Sequence, residues 1–395
     1  MVGARGGPAL WCAIVAVLCT IAPLPLAAQA RIDGEIETLN TLAWNGAKDE
    51  LGLLGYGRGE LDLRSERDRN VQARLTLDAV LGETTGSNTG DTEQAATVTV
   101  PRASIRFRFP LTEDYTVRVT SGRDRVSWGM GRLFNAADVI FGADGTGAAD
   151  FFEISDDLRN ETTWLSAVYV PLGSFSYFEP IILPDLPTEG SPSTGSGDEP
   201  SELSSSRAGG RLSFELGNFT LEPAYLYDGT SGRHETVLTV VGLIGVDVYG
   251  AGRLSIDGDI GGDADGDAVD ERATFSLGAY NRFTLGREVD LDARLEALIR
   301  PGGAWEDKND PQGEYGLTLY PELVLSPGRT VSVVLRSIVS PIDLSAYMST
   351  GVSWNVFGGF ELVAFAGVQS GDNTNVFAWE RSGAATLSTG FTYSF

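Results

Sequence analysis

Apolar and polar residues alternate along most of the chain after residue 30. In NVQARLTLDAVL (70–81), Val71, Ala73, Leu75, Leu77, Ala79 and Leu81 fall on one face, with Gln72, Arg74, Thr76 and Asp78 on the other. PRASIRFRF (101–109) sets Ala103, Ile105, Phe107 and Phe109 opposite Arg102, Ser104, Arg106 and Arg108. VDLDARLEALIR (289–300) sets Val289, Leu291, Leu295 and Ile299 against Asp290, Asp292, Arg294 and Glu296. Successive side chains leave a pleated backbone on opposite faces, so a period of two predicts strands. No long stretch past residue 30 carries the helical period. Eighteen strands are predicted, near 31–40, 51–64, 70–81, 97–109, 115–122, 161–171, 174–182, 206–216, 219–228, 235–244, 246–256, 272–285, 289–300, 313–325, 329–340, 345–356, 359–370 and 384–395. The segments around 174–182 and 235–256 show the weakest alternation.

The connections separate a sandwich or propeller from a membrane barrel. Tight ones, such as PLTED (110–114), Gly217-Asn218, Gly286-Arg287-Glu288 and SPG (326–328), alternate with longer polar ones at 82–96, 123–160, 183–205, 257–271, 301–312 and 371–383. Short turns on one rim, long loops on the other and an even strand number describe an all-β, transmembrane, antiparallel up-and-down β-barrel of about 18 strands (16–18). Closure leaves no unpaired backbone edge in hydrocarbon, and the apolar face then meets lipid. The last strand, ATLSTGFTYSF, resembles the C-terminal strand of bacterial outer-membrane proteins. That resemblance implies that Tyr393 and Phe395 form the signal read by the barrel-assembly machinery.

The N-terminus predicts export. Arg5 precedes an apolar run at 9–22, and Ala28-Gln29-Ala30 fits a cleavage site, so residues 1–30 read as a signal peptide and 31–395 as the barrel. Cys12 and Cys19 both lie in that signal, which leaves the barrel without a disulfide, thiolate metal site or cysteine nucleophile. With 29 basic and 54 acidic residues, the net charge of −25 argues against nucleic-acid binding. No cofactor is expected. The acidic stretch DGDIGGDADGDAVDE (257–271) spaces Asp263, Asp265 and Asp267 as a calcium loop would, but Ala268 stands where the EF-hand pattern wants glycine. A solvated loop, or loose divalent bridging to lipopolysaccharide, are the other readings.

The segment GRDRVSWGMGRLFNAADVIFG (122–142) opens the third external connection, 123–160, the longest in the chain. Trp128, Leu133, Phe134, Val139, Ile140, Phe141, Phe151 and Phe152 are too apolar for a solvated loop, so the loop is expected to fold inward and pack on the inner wall. Strand parity points Arg118 and Thr120 inward, and the same parity would send Arg123 and Arg125 into lipid. The strand is therefore expected to end, bulge or leave the hydrocarbon near Ser121-Gly122. A nucleotide loop is excluded because Phe134 occupies the third glycine position of the pattern and no βαβ unit surrounds it. A strand followed by Gly122, Arg123, Trp128, Gly129 and Asp138 resembles porin-type barrels of the alginate-export and related large outer-membrane porin families. The likeness covers about twenty residues and carries no substrate with it.

These readings assemble a candidate constriction. Arg74, Arg102, Arg106, Arg108 and Arg118 form a basic wall, joined by the loop residues Arg123, Arg125, Trp128, Arg132 and Asp138. Asp290, Asp292 and Glu296 face them from a later strand. The wall could set a transverse field that selects ions, or the charges could pair across strands; the sequence leaves both open. The expected function is a porin-like outer-membrane channel for passive diffusion of small solutes, anionic ones at the finer level. Lipid, lipopolysaccharide and the assembly machinery are the expected partners, and oligomeric state is not readable. The alternatives are a non-conducting barrel serving as adhesin or scaffold, and an outer-membrane hydrolase using His234 with Ser231 and Asp228.

Overall fold

The computed structural model describes residues 30–65, 70–85, 92–146, 158–185, 203–257, 272–309, 314–380 and 382–395. The strands are β1 (Arg31–Asn45), β2 (Glu50–Arg64), β3 (Val71–Thr85), β4 (Thr92–Pro110), β5 (Thr116–Asp124), β6 (Thr163–Gly173), β7 (Ser176–Leu183), β8 (Arg207–Leu216) and β9 (Phe219–Asp228). They continue as β10 (Arg233–Leu243), β11 (Asp247–Asp257), β12 (Ala273–Leu285), β13 (Val289–Ile299), β14 (Leu317–Pro327), β15 (Val331–Ser340), β16 (Ser345–Phe357), β17 (Phe360–Ser370) and β18 (Ser382–Ser394). Each pairs antiparallel with its sequence neighbours, and β1 also pairs with β18, which closes the sheet into an 18-stranded barrel. The expected signal at 1–30 lies outside the described residues except for Ala30, and so do Phe151, Phe152, Asp263, Asp265 and Asp267.

Closure follows from the alternation. The outward rows leave Leu53, Leu75, Phe109, Leu277, Leu295 and Leu335 exposed. A continuous band of such residues would associate in water, whereas in a bilayer it is the solvated face. The paired strands outrun the apolar rows: β1 reaches Asn45 rather than residue 40, and β4 begins at Thr92 rather than 97. Their polar ends keep bonding to neighbours past the lipid band. Tight turns sit on the rim that holds both chain ends. At the β8–β9 turn Gly217 takes φ 64, a conformation that costs residues with a Cβ.

The seam between β1 and β18 depends on the last residue. Gly34 N–H donates to the Phe395 carbonyl at 2.9 Å, and Phe395 N–H donates back to the Gly34 carbonyl at 2.9 Å. The Phe395 ring covers Gly34 so closely that a Cβ there would overlap it, and it stacks at 5.9 Å on Tyr393. Deleting Phe395 is expected to lower the fraction of heat-modifiable folded barrel in the membrane, measured as a gel-mobility shift. Parent levels after the deletion would show that the terminal aromatic does not guide assembly.

Candidate functional site

The site is built where β5 hands over to the long connection. The strand does not leave the wall at Gly122. It runs two residues further, pairing Arg123 with Ala103 on one side and with Trp164 on the other. Gly122 takes φ 122, and a Cβ there would overlap the Ala103 carbonyl oxygen, so only glycine passes at this point. The uninterrupted register corrects the expected place of Arg123. It sits on the outward row with Ala103 and Trp164, its Nε donating to Thr162 Oγ1 at 3.3 Å, and does not face the lumen.

From Arg125 the chain turns into the barrel. Trp128, Leu133, Phe134, Ala136, Ala137, Ile140 and Leu158 are buried in one cluster with Leu165, Ala167, Ile181, Leu183, Leu226, Val237, Ala251, Leu298, Tyr320 and Ile338. The latter are inward-facing residues of β6 to β15. Leu133 and Phe134 are fully buried, and each such burial stabilises the docked loop by about 1.5–3 kcal/mol. The loop thus rests on one side of the barrel and leaves β1 to β5 and β16 to β18 outside that cluster.

Polar groups of the wall fix the loop backbone. Glu296 accepts the N–H groups of Arg132 (2.6 Å), Leu133 and Phe134 (both 2.9 Å), along with the Tyr249 hydroxyl. Ser276 Oγ accepts from Ala136 N–H at 2.9 Å. Arg207 donates to the Ile140 carbonyl and Arg211 to that of Ser127. Arg132 is buried, and its guanidinium lies 3.1 Å from Glu322, which also meets Arg336 at 3.4 Å. Asp138 accepts the N–H groups of Ile140 and Phe141 and pairs with Arg159 at 2.9 Å. Burial pushes the Asp138 carboxyl above the usual carboxylate range, while Arg159 pulls it back. Arg125 lines a small cavity of about 60 Å³ with Arg132, Asp138 and Arg159.

The wall beside the docked loop, on β4 and β5, carries cations in register. Arg108 pairs directly across from Arg118, and Arg106 across from Thr120. Arg118 lies 3.9 Å above the Tyr169 ring, and Arg106 Nε donates to Thr120 Oγ1 at 3.2 Å. Among the described residues, Arg102, Arg106 and Arg118 form no ion pair with a carboxylate. Arg106, Arg118, Tyr169, Tyr177, Glu179 and Arg211 line a recess of about 400 Å³, in which Glu179 pairs with Arg211 at 2.7 Å. Further round the barrel the charges are paired. Arg58 bridges Asp78 and Glu60, both at 2.9 Å, and Arg64 and Arg74 share Asp62.

The predicted acidic side is not a free wall. Asp292 is held by Arg282 and by the Tyr280 hydroxyl, and Asp290 accepts from Thr284. Glu296 lies under the loop. Sequence reasoning missed Tyr249, Ser276, Glu322 and Arg336, which hold the loop. Arg336 had a signal: it is a lone charge among the inward apolar residues Val334 and Ile338 of β15. The hydrolase grouping is not assembled. His234 Nδ1 lies 2.6 Å from the Tyr225 hydroxyl on the outward face, while Ser231 Oγ donates to Asp228 at 2.9 Å.

Solved structures share this barrel. Pseudomonas aeruginosa OccK7 (OpdD) aligns with a TM-score of 0.52 at 10% identity, over 93% of this chain and 99% of its own. Acinetobacter baumannii OccAB4 aligns with a TM-score of 0.54 at 6% identity, over 94% and 100%. Both are bacterial outer-membrane porins. At such identity the likeness is one of fold: the chain has the outer-membrane porin barrel fold. No protein-family model and no curated protein matches the sequence.

Proposed function

We propose that this protein is an outer-membrane channel through which small solutes diffuse passively, with a preference for anions set by Arg102, Arg106, Arg108 and Arg118 on β4 and β5. The observation that carries this reading is the asymmetry of the interior. A loop anchored on apolar residues and buried ion pairs packs on β6 to β15, and the adjoining strands β4 and β5 present a row of cations of which three lack a carboxylate partner among the described residues. Charges lining a confined passage act on ions more strongly than charges on an open surface. In this reading the barrel sits among outer-membrane lipid and lipopolysaccharide, is placed there by the barrel-assembly machinery, and is not an enzyme.

Liposome swelling tests passage directly. Purified folded barrel in liposomes is expected to admit small sugars at rates that fall steeply with solute size. Swelling no faster than in empty liposomes would favour a closed, structural barrel instead.

A further inference from the structure

We propose that Glu296 is the positioning residue of the channel: its carboxylate holds the inward loop against the far wall and so fixes both the bore and which arginines face the solute. This rests on the reading of the barrel as a conducting pore. Alternation places Glu296 on the lumen row of β13, where a carboxylate would ordinarily be a solvated charge. It is instead fully buried. Its two oxygens take three successive backbone N–H groups, those of Arg132, Leu133 and Phe134. Convergent N–H groups of this kind form a concavity that favours an anion over a neutral acceptor. The hold is on the backbone, at the centre of the apolar cluster.

The same contact governs the charge of the loop. With the backbone at 132–134 docked on Glu296, the Arg132 side chain runs into the wall. There it joins Arg294 and Arg336 around Glu322, at 3.8 and 3.4 Å for the latter two. Five charged groups thus meet in one buried pocket, three cationic and two anionic. Losing Glu296 would leave three N–H groups without an acceptor and the cations in larger excess, and both changes favour release of the loop. Released, the loop would move in the passage and carry Arg132 out towards the solute.

The test uses Glu296→Ala and Glu296→Gln in the full chain, each checked for heat-modifiable folding. A second form pins the loop: Ala136→Cys with Ser276→Cys in the Glu296→Ala background. The Ala136 nitrogen already lies 2.9 Å from Ser276 Oγ, and the chain's own cysteines, Cys12 and Cys19, fall before β1. Single-channel recording is expected to show open-channel noise at least about twofold above the parent for both single variants, as a loop with two arrangements fluctuates. The oxidised pinned form is expected to return to the parent's noise and ion selectivity, and reduction should restore the noisy state. Two results would overturn the assignment: a Glu296→Ala channel as quiet and as selective as the parent, or a formed disulfide that fails to restore it, which would make Glu296 a lumen charge. A parent barrel that does not conduct would count against the channel reading, not against the loop contact.

Discussion

Replacing residues 128–141 by a short Gly-Ser linker is expected to raise single-channel conductance by at least about twofold, because current follows the open cross-section of the passage. The deleted stretch holds Trp128, Leu133, Phe134, Ala136, Ala137 and Ile140, all buried against the inward wall. Deletion differs from a point change in what it leaves behind. Removing one partner of a buried ion pair strands its mate in a dry pocket, a cost of about 3–5 kcal/mol. Removing 128–141 lets water reach Glu296, Glu322 and Arg336 together, so these charges are solvated, and Arg159, which loses Asp138, keeps Glu161 at 2.9 Å. The wall loses apolar cover at Leu226, Val237 and Leu298, which lowers stability without breaking a strand ladder. Conductance equal to the parent in a folded, heat-modifiable barrel would mean that the loop does not limit the bore.

The second large effect concerns the wall arginines. Arg106→Ala combined with Arg118→Ala is expected to shift the reversal potential under a salt gradient towards cations. A unit charge about 4 Å from a passing ion contributes about 1 kcal/mol even in a water-like dielectric, so each lost arginine should change the relative permeability about fivefold. Arg123→Ala is the internal control. The register puts it beside Ala103 and Trp164 on the outward row, and its removal should leave selectivity unchanged. If the wall pair has no effect while Arg123→Ala does, the assignment of faces on β5 is wrong.

That control also shows where sequence reasoning reached its limit. The parity of β5 warned that Arg123 would face outward if the strand continued. What the sequence did not show was that Gly122, at φ 122, lets the strand run on to Asp124. The strands with one apolar and one charged row, such as 71–81 and 289–299, were legible because one face meets lipid and the other water or ions. The stretches 174–182 and 235–256 alternated weakly for a physical reason. Their inward residues, among them Ile181, Val237 and Ala251, are apolar too, since the loop covers them. A strand with lipid on one side and a docked loop on the other loses the period that identifies it.

The candidate site was legible by face more than by partner. Arg106, Arg108 and Arg118 could be placed on one inner wall from alternation alone. Glu296 could be placed inward in the same way, but its burial depends on backbone N–H groups some 160 residues earlier in the chain. Nothing local in VDLDARLEALIR distinguishes it from Asp292, which is held on its own strand pair by Arg282. Likewise His234, Ser231 and Asp228 are neighbours in sequence, yet the strand directs His234 outward to Tyr225.

The most direct measurement is the current through the purified parent barrel in a planar bilayer under a potassium chloride gradient. An arginine-walled passage narrowed by an anchored loop is expected to give stepwise openings of uniform size and a reversal potential on the chloride side, despite the acidic net charge of the chain. A folded barrel that inserts without conducting, or one whose reversal potential lies on the potassium side, would contradict it.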